Sequence, residues 1–335
     1  MTILAAPWQR VQLWLGHYHR LLLALALLAA LIYPWVSRSY FLSLTIEVLI
    51  FAIFALSLDL LLGYTGLPSL GHAAFFGVGA YLTAYLTSRS ELALGLTDNL
   101  LLTLPLVLLG TALLALLIGL FALRTSGLYF LMITLALAQM LYSIAIRWSG
   151  VTGGSDGLAG VPQPSIGLGS LSYTFDSRQS YYYLVLAFFL LAWWLSARLV
   201  NSHFGWTLRG IRENEARLRA LGYNTFRYKL GAFVLAGTLA GLAGLLLAHF
   251  FRHVSPDTLY WTTSGQVLVM VIIGGAGTLT GPILGAALVR LLPHLLSSYT
   301  DRWQTIIGLI FVLFVVYAAQ GLIGLLRRER RRALR

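Results

Sequence analysis

The chain has 335 residues, of which 59% are hydrophobic and 10% are charged. Soluble domains carry about 25% charged residues, so this composition excludes a soluble globular protein and indicates a polytopic α-helical membrane protein. The net charge of +12 comes from arginines at the ends of apolar runs, which argues against nucleic-acid binding, and the lack of cysteine excludes disulfides and thiolate chemistry.

The apolar runs predict an all-α membrane protein with about ten transmembrane segments, one or two of them broken or re-entrant. A single helix over 262–298 would be far too long for one span, and its Gly-rich segment 274–282 predicts a break. The predicted spans are roughly 21–36, 44–63, 69–88, 99–123, 128–147, 181–200, 230–250, 262–274, 281–298 and 304–326.

Charge distribution orients these spans. With ten spans, most of the 23 arginine and lysine residues share one side with both termini, and the positive-inside rule makes that side cytoplasmic. The sequence thus predicts a cytoplasmic N-terminus with a first, uncleaved span over 1–40, a transmembrane domain over 41–326 and an Arg-rich cytoplasmic tail over 327–335. The longest segment on the other side, 148–180, is rich in Gly, Ser and Pro and predicts a structured external loop.

Small and polar residues cluster after the second predicted span, in Gly63-Tyr-Thr-Gly and from Ser69-Leu-Gly-His to Tyr81. Small residues let helices approach closely, so most of these glycines are predicted to serve packing. An ionisable group in a span costs about 2.5–3.5 kcal/mol and needs a partner or water, which singles out Glu47, Asp59, His72 and Arg290. For Glu47, Asp59 and Arg290, a structural ion pair, an error of a few residues in the span limits and a proton relay all stay open. For His72, a pathway role and a local hydrogen bond both stay open. The packing candidates are Gly63, Gly66, Gly71, Gly77 and Gly79, and the pathway candidates are Asp59, Tyr64, Thr65, Ser69, His72 and Gln139.

The polar island, residues 201–229, interrupts the apolar runs with six Arg or Lys and two Glu. Its segment Thr207 to Leu221 predicts an amphipathic helix with two i,i+4 ion pairs, Glu213–Arg217 and Glu215–Arg219, ended by Gly222. The apolar arc consists of Leu208, Ile211, Leu218 and Leu221. Docking of a partner protein and contact with lipid headgroups explain this pattern equally well.

The segment 274–282 does not match the phosphate-binding Gly-x-x-x-x-Gly-Lys-Ser/Thr pattern, so any ATP must be used by a partner. No catalytic or metal-binding constellation occurs, and we expect no enzyme activity, metal or cofactor in this chain. The residues predicted to form the break are Gly274, Gly275, Gly277, Gly281 and Pro282.

Four motifs together resemble the permease subunits of ABC importers for branched-chain amino acids, of the LivM type. They begin at Gly63, Thr152, Arg209 and Gly274, and the resemblance extends over about residues 45–326. The resemblance implies the ABC importer permease fold, a bacterial inner-membrane location and a coupling helix that docks on ATPase subunits. The implied docking residues are Leu208, Arg209, Ile211, Arg212, Glu213, Asn214, Glu215, Arg217, Leu218, Leu221 and Gly222.

The same resemblance implies a LivH-like second permease subunit, two ABC ATPase subunits, and a periplasmic or lipid-anchored substrate-binding protein. Relatives often have Asn where Asp59 stands, so this carboxylate either changes the polarity of the substrate that is accepted or is paired. Urea and short-chain amide importers share these motifs and stay open as alternatives. A secondary transporter and an intramembrane enzyme are the alternatives from other classes.

Overall fold

The computed structural model describes residues 25, 27–168, 171–297, 302, 305–309, 311–312, 321–322 and 324. Most of the last predicted span, the start of the first and the tail 327–335 lie outside these residues. The helices are α1 Leu27–Val36, α2 Ser39–Asp59, α3 His72–Thr87, α4 Leu100–Ala122, α5 Leu128–Arg147, α6 Ser149–Thr152, α7 Arg178–Val200, α8 His203–Ala220, α9 Thr225–Phe251, α10 Trp261–Gly274 and α11 Thr280–Leu296.

Five of the described helices are long and apolar enough to cross a membrane: α2 with its extension to Thr65, α4, α5, α7 and α9. Shorter apolar helices are α1, α10 and α11. A mostly helical, multi-pass protein is therefore confirmed, whereas the number of spans stays a prediction.

Helix α9 lies at the centre of the bundle and packs against α2, α3 and α4. Close approach is possible because its inner face carries small residues: Gly241 lies against Thr111 of α4 and Gly79 of α3, and Gly244 lies against the Phe76 carbonyl of α3. The core residues Ala236, Ala240 and Ala243 on the same helix are fully buried. The small residues of the third predicted span therefore form the main helix contact.

The chain changes direction between α10 and α11, where the sequence predicted a break. Gly275 and Gly277 have φ angles of 111° and 80°, which only glycine adopts without strain. Gly274 packs against the carbonyl of Gly281 and against Pro282, so the two short helices α10 and α11 form a tight hairpin. The second short helix, α11, also packs along α2.

The second helix ends in a π-helical segment, Leu60–Thr65, which the sequence analysis did not predict. Its wider turns leave carbonyls free for other partners, and such segments occur frequently at functional sites. The Thr65 hydroxyl donates to the Leu60 carbonyl at 2.9 Å, and Gly66 ends the segment with a φ angle of 75°. This end of α2 lies beside α8.

At the opposite end of the bundle, the fold departs from the purely α-helical prediction. The described residues include four short strands, β1 Leu158–Ala159, β2 Ser165–Leu168, β3 Leu171–Thr174 and β4 His253–Val254. Strands β2 and β3 form an antiparallel hairpin, and β1 pairs antiparallel with β4 in the register Leu158 to Val254. The predicted loop over 148–180 is therefore structured by strand pairing. We call this the hairpin end and the end that carries α8 the island end.

Two ionisable residues predicted within spans form an ion pair along α2 and α11. The Arg290 guanidinium lies 3.3 Å from Glu47 Oε1 and sits over the Phe51 ring, 3.4 Å from its centroid. The ion pair and the cation–π contact with Phe51 offset the free-energy cost of placing two charges among the helices. This geometry favours the structural-ion-pair alternative for these two residues.

Candidate functional site at the island end

Helix α8 forms most of the polar island. The Ser202 hydroxyl accepts a hydrogen bond from the Gly205 backbone and begins the helix, as expected for an N-cap serine. The helix ends at Ala220, and Gly222 follows with a φ angle of 88°. Backbone bonds from Gly222 to Arg219 and from Tyr223 to Leu218 complete a Schellman motif, so the predicted stop at Gly222 is confirmed.

The prediction of one continuous helix from Thr207 to Leu221 is wrong at Asn214. This residue has φ −159° and ψ 94°, which kinks α8, and its side-chain oxygen caps the second part by accepting from the Arg217 backbone at 3.0 Å. Residues on either side of a kink no longer have i,i+4 geometry. The predicted Glu213–Arg217 ion pair is accordingly absent among the described residues, and both side chains are exposed.

The sequence predicted that the apolar arc of α8 forms an outward docking face. The structure instead turns part of this arc towards the bundle. Leu208 and Ile211 are 1% and 5% exposed and belong to the core of this chain. Leu218 folds back over Gly210, whereas Leu221 is 67% exposed. The docking role is thus corrected for Leu208 and Ile211, which fasten α8 to the bundle.

A compact ion cluster joins the second part of α8 to the start of α9. Glu215 Oε1 lies 2.8 Å from Lys229 Nζ and 2.7 Å from an Arg219 nitrogen, and it accepts from the Thr225 hydroxyl at 2.9 Å. Burial opposes ionisation of Glu215, but the bonds from Lys229, Arg219 and Thr225 outweigh it and lower the Glu215 pKa. The Glu215–Arg219 pair is therefore confirmed. The contact to Lys229, a buried residue, was not predicted, and its signal was the chain's single lysine beside an apolar span.

Three motifs that are distant in sequence meet at the island end. The Arg212 guanidinium of α8 donates to the Gly63 carbonyl in the π-helical end of α2. Asp59, which is fully buried, accepts from the Gly277 backbone N–H at 2.7 Å. A Cβ atom at Gly63 would overlap both Asp59 Oδ1 and the Gly277 nitrogen, so only glycine fits there. We call this contact of Asp59, Gly63, Arg212 and Gly277 the junction.

Arg209, one turn before Arg212, strengthens the junction from the side. Its guanidinium lies over the Tyr64 ring at 5.3 Å and over the Trp206 ring at 4.8 Å from the centroids. Such stacking contributes about 0.5–1 kcal/mol at exposed sites and more when desolvated. Because Tyr64 is buried at the end of α2, this contact ties α8 to the bundle.

The other polar candidates for a pathway form local hydrogen bonds or lie apart, and among the described residues His72 Nδ1 and Gln139 Nε2 are buried without a hydrogen-bond partner. His72 is fully buried, with Nε2 2.8 Å from the Ser57 hydroxyl and the ring stacked on Phe54. Ser69 accepts from the Gly71 backbone at 3.3 Å. Gln139 lies half-buried on α5, away from the junction. This geometry favours the local-hydrogen-bond alternative for His72, and Ser57 is the partner that the sequence analysis missed.

Glycines predicted to pack do lie in close contacts: a Cβ at Gly71 would meet the Thr134 carbonyl, and one at Gly77 would meet Leu259. Within the described ranges, no three His, Asp or Glu residues come together in a way that could hold a metal ion.

A second convergence lies at the hairpin end. The motif that begins at Thr152 leads into β1, and the Val254-Ser-Pro segment follows from β4, so the strand pair joins them. Gly157, with a φ angle of 72°, lies so close to the Val254 carbonyl that a Cβ atom would overlap it. The sequence motifs thus occupy the two ends of the bundle.

The family described as branched-chain amino acid transport system / permease component matches residues 40–319. The chain is 28% identical over 329 residues to the high-affinity branched-chain amino acid transport permease LivM of Salmonella typhimurium, covering 92% of this chain and 76% of that protein. The Escherichia coli LivM gives the same values. The Escherichia coli LivH permease is 23% identical over 46% of this chain and 50% of its own length. No solved structure matches. The chain belongs to the branched-chain amino acid transport system / permease component family.

Proposed function

We propose that this chain is a permease subunit of an ATP-driven importer of branched-chain amino acids. The observation that carries the proposal is the family match over residues 40–319, supported by LivM relatives aligned along most of both chains. Those relatives are named as branched-chain amino acid permeases. The additional similarity to LivH supports a permease pair in which this chain takes the LivM position. The ATPase subunits and the substrate-binding protein complete the proposed assembly.

We further propose ten membrane spans, with the island end, the N-terminus and the C-terminus in the cytoplasm. Directions of the described helices support this count. Helices α2, α4, α7 and α10 run from the hairpin end to the island end, and α3, α5, α9 and α11 run back. Adding α1 and the predicted last span, 304–326, gives an even number. The basic charge of α8 fits the cytoplasmic side of an inner membrane.

Docking of the ATPases is proposed on the exposed part of α8. The available side chains are Glu213, Asn214, Arg217 and Leu221, together with the backbone at Gly222. Leu208 and Ile211 hold the helix on the bundle from below. A displacement of α8 therefore reaches the end of α2 through Arg212 and Gly63, and the α10–α11 break through Gly63 and Gly277. Such rigid elements switch a path between outward-open and inward-open states.

The function is tested with the complete transporter in proteoliposomes, containing this chain, its permease partner, the ATPases and the binding protein. We expect uptake of radiolabelled leucine that requires ATP on the side of the membrane that carries the ATPases. Uptake should stop when the ATPases are replaced by a hydrolysis-deficient variant. Uptake of urea or acetamide in place of leucine would overturn the substrate assignment. Leucine uptake that persists with the inactive ATPase would overturn the importer class and favour a secondary transporter.

The docking surface is tested with Glu213→Arg in the same vesicles. Reversing an exposed charge at a protein interface costs affinity but leaves the fold of the permease intact. We expect leucine-stimulated ATP hydrolysis to fall about tenfold, which corresponds to about 1.4 kcal/mol of interaction. Arg198→Glu, on α7 outside α8, is the charge-reversal control. Unchanged coupling in Glu213→Arg would show that the ATPases dock elsewhere.

A further inference from the structure

A cavity of about 430 Å³ at the hairpin end has a composition that none of the sequence motifs explains. Sites for small ligands typically measure about 300–1,000 Å³ and combine apolar walls with a few polar groups. Two arginines, Arg178 and Arg252, line this cavity without any acidic residue, and its apolar wall consists of Ile46, Phe250 and Phe251. Charge and shape therefore suit an anionic group attached to an aliphatic one.

Arg252 is the distinctive residue of this cavity. It follows the C-terminus of α9 with a φ angle of 55°, in the left-handed conformation that helix ends usually assign to glycine. Within residues 27–168 and 171–297, its guanidinium forms no ion pair or hydrogen bond. An arginine in an unfavourable backbone conformation, with all its donors available, is consistent with a role in binding.

Arg178 has a different status. One of its terminal nitrogens already donates to the hydroxyls of Ser39 and Ser43, both at 2.9 Å. These bonds fix the guanidinium between the starts of α2 and α7. Its remaining N–H groups keep the positive charge at the cavity wall, so Arg178 is a fixed charge, whereas Arg252 is a free donor.

His249 contributes a hydrogen-bond acceptor, whereas the two arginines contribute donors. The side chain is 2% exposed, and Nδ1 lies 2.9 Å from the Pro162 carbonyl. Because a carbonyl only accepts, Nδ1 carries the hydrogen, and the neutral ring presents Nε2 as an acceptor. Within the described part of the chain, Nε2 is buried without a hydrogen-bond partner. The Gln163 side chain on the same wall adds an amide oxygen.

We propose that this cavity binds a free amino acid as a zwitterion on its way into the permease. The carboxylate pairs with Arg252 and Arg178, the ammonium group donates to His249 and Gln163, and an aliphatic side chain rests on Ile46 and Phe250. A neighbouring cavity of about 510 Å³ shares Gln163 and Arg252, and of its two aspartates Asp98 is paired with Arg89 at 3.2 Å, which leaves Asp176 to attract an ammonium group. The inference rests on the proposed function, because it places the amino-acid substrate at the hairpin end.

The test uses Arg252→Asn, since asparagine tolerates the left-handed conformation better than most residues. Arg147→Asn is the matched control, because Arg147 lies at the same end of the bundle but lines another cavity. Binding of radiolabelled leucine is measured on the purified permease–ATPase complex without the binding protein. We expect Arg252→Asn to weaken leucine binding about tenfold or more and Arg147→Asn to leave it unchanged. Leucinamide, which lacks the carboxylate, should bind equally to wild type and Arg252→Asn.

A second measurement does not depend on losing a side chain. The chain has no cysteine, so Gln163→Cys places a single thiol in the cavity wall. We expect leucine to slow modification of this thiol by a thiol reagent at least about threefold. Modification of Ser143→Cys, in the cavity that Arg147 lines, should be unaffected by leucine. Protection that follows the phosphatidylglycerol content of the vesicles instead of leucine would assign the cavity to a lipid headgroup and overturn the proposal.

The two hypotheses fail separately. If the wild-type transporter does not import leucine, the proposed function is wrong. If it imports leucine but Arg252→Asn binds leucine like wild type and Gln163→Cys is not protected, only the cavity assignment is wrong.

Discussion

The island end and the hairpin end of the bundle both gather distant sequence motifs, but they join them by different means. At the island end, charged side chains meet free backbone groups: Arg212 binds the Gly63 carbonyl, and Asp59 binds the Gly277 N–H. At the hairpin end, backbone pairs with backbone in β1 and β4. Two cavities with charged walls lie beside that strand pair.

This difference suits different tasks. A side chain that bonds a free carbonyl can release it and return, so the junction can pass a displacement of α8 to the helices of the bundle. Strand pairing holds the outer segments in register, so groups such as Arg252 and His249 keep fixed positions around a cavity. We therefore expect changes at the island end to affect coupling and changes at the hairpin end to affect substrate binding.

The largest effect is expected from Gly63→Val, which forces apart the π-helical segment and the α10–α11 break. Any Cβ at this position overlaps Asp59 and the Gly277 backbone, and neither can move freely inside the bundle. Overpacking costs typically 1–3 kcal/mol, and here we expect about 3 kcal/mol or more because the clash involves backbone. The thermal stability of the detergent-solubilised complex and leucine uptake should both be lost.

Gly265→Ala is the matched control for that substitution. A Cβ at Gly265 in α10 meets no atom within 4 Å, and alanine favours the helix by about 1 kcal/mol over glycine. We expect a melting temperature equal to or above that of wild type. Equal stability of Gly63→Val and wild type would refute the junction.

The overall helical architecture was predictable because hydrophobicity and charge act locally and can be counted along the chain. The break before Thr280 followed from its glycines and proline, and the end of α8 followed from Gly222. The kink at Asn214 was not predictable from helical periodicity, since a side-chain cap competes with the continuous helix only when both halves find tertiary contacts. Likewise, the direction of the Leu208 and Ile211 face depends on which surface the bundle offers.

The candidate sites show the same division. Polarity singled out Asp59, but its partner Gly277 is 218 residues away and could not be inferred from spacing. Arg252 and His249 were not predicted as site residues, because a single arginine after a span looks like ordinary membrane topology. Only the folded arrangement brings them to one cavity wall.

Glu215→Gln tests how firmly the second part of α8 is attached. Lys229, with only 6% of its side chain exposed, loses a charged partner. Breaking a fully buried pair costs about 3–5 kcal/mol, and we expect about 1–3 kcal/mol here because Glu215 is partly exposed. The melting temperature of the complex should fall, whereas Glu91→Gln, which replaces an exposed carboxylate between α3 and α4, should leave it unchanged. Similar melting temperatures for both variants would contradict a structural role of the cluster.

Arg212→Gln tests most directly whether the two ends act separately. Its expected effect on stability is smaller than that of Glu215→Gln. The substitution removes a charged donor from the Gly63 carbonyl, which costs about 1 kcal/mol at this partly solvated position. We expect ATP hydrolysis to continue while leucine uptake falls several-fold, and leucine binding at the hairpin end to stay as in wild type. Arg198→Gln, which removes an exposed arginine from the end of α7 outside the docking surface, is the control. A loss of leucine binding in Arg212→Gln would show that the two ends do not act separately.

The smallest effect is a pH dependence of the Glu215 cluster. The bonds from Lys229, Arg219 and Thr225 hold the Glu215 pKa below its ordinary value of 4.5 in the folded chain, despite the opposing effect of burial. A lowered pKa stabilises the folded state fully above the ordinary value, and this contribution is lost as the pH falls through the folded-state pKa. The difference in melting temperature between wild type and Glu215→Gln should therefore be constant from about pH 7 to about pH 5.5 and shrink below about pH 4.5. The difference between wild type and Glu91→Gln, measured in the same buffers, provides the baseline. A Glu215→Gln difference that grows on acidification would mean that Glu215 is stabilised in its protonated form and that Lys229 is held by another group.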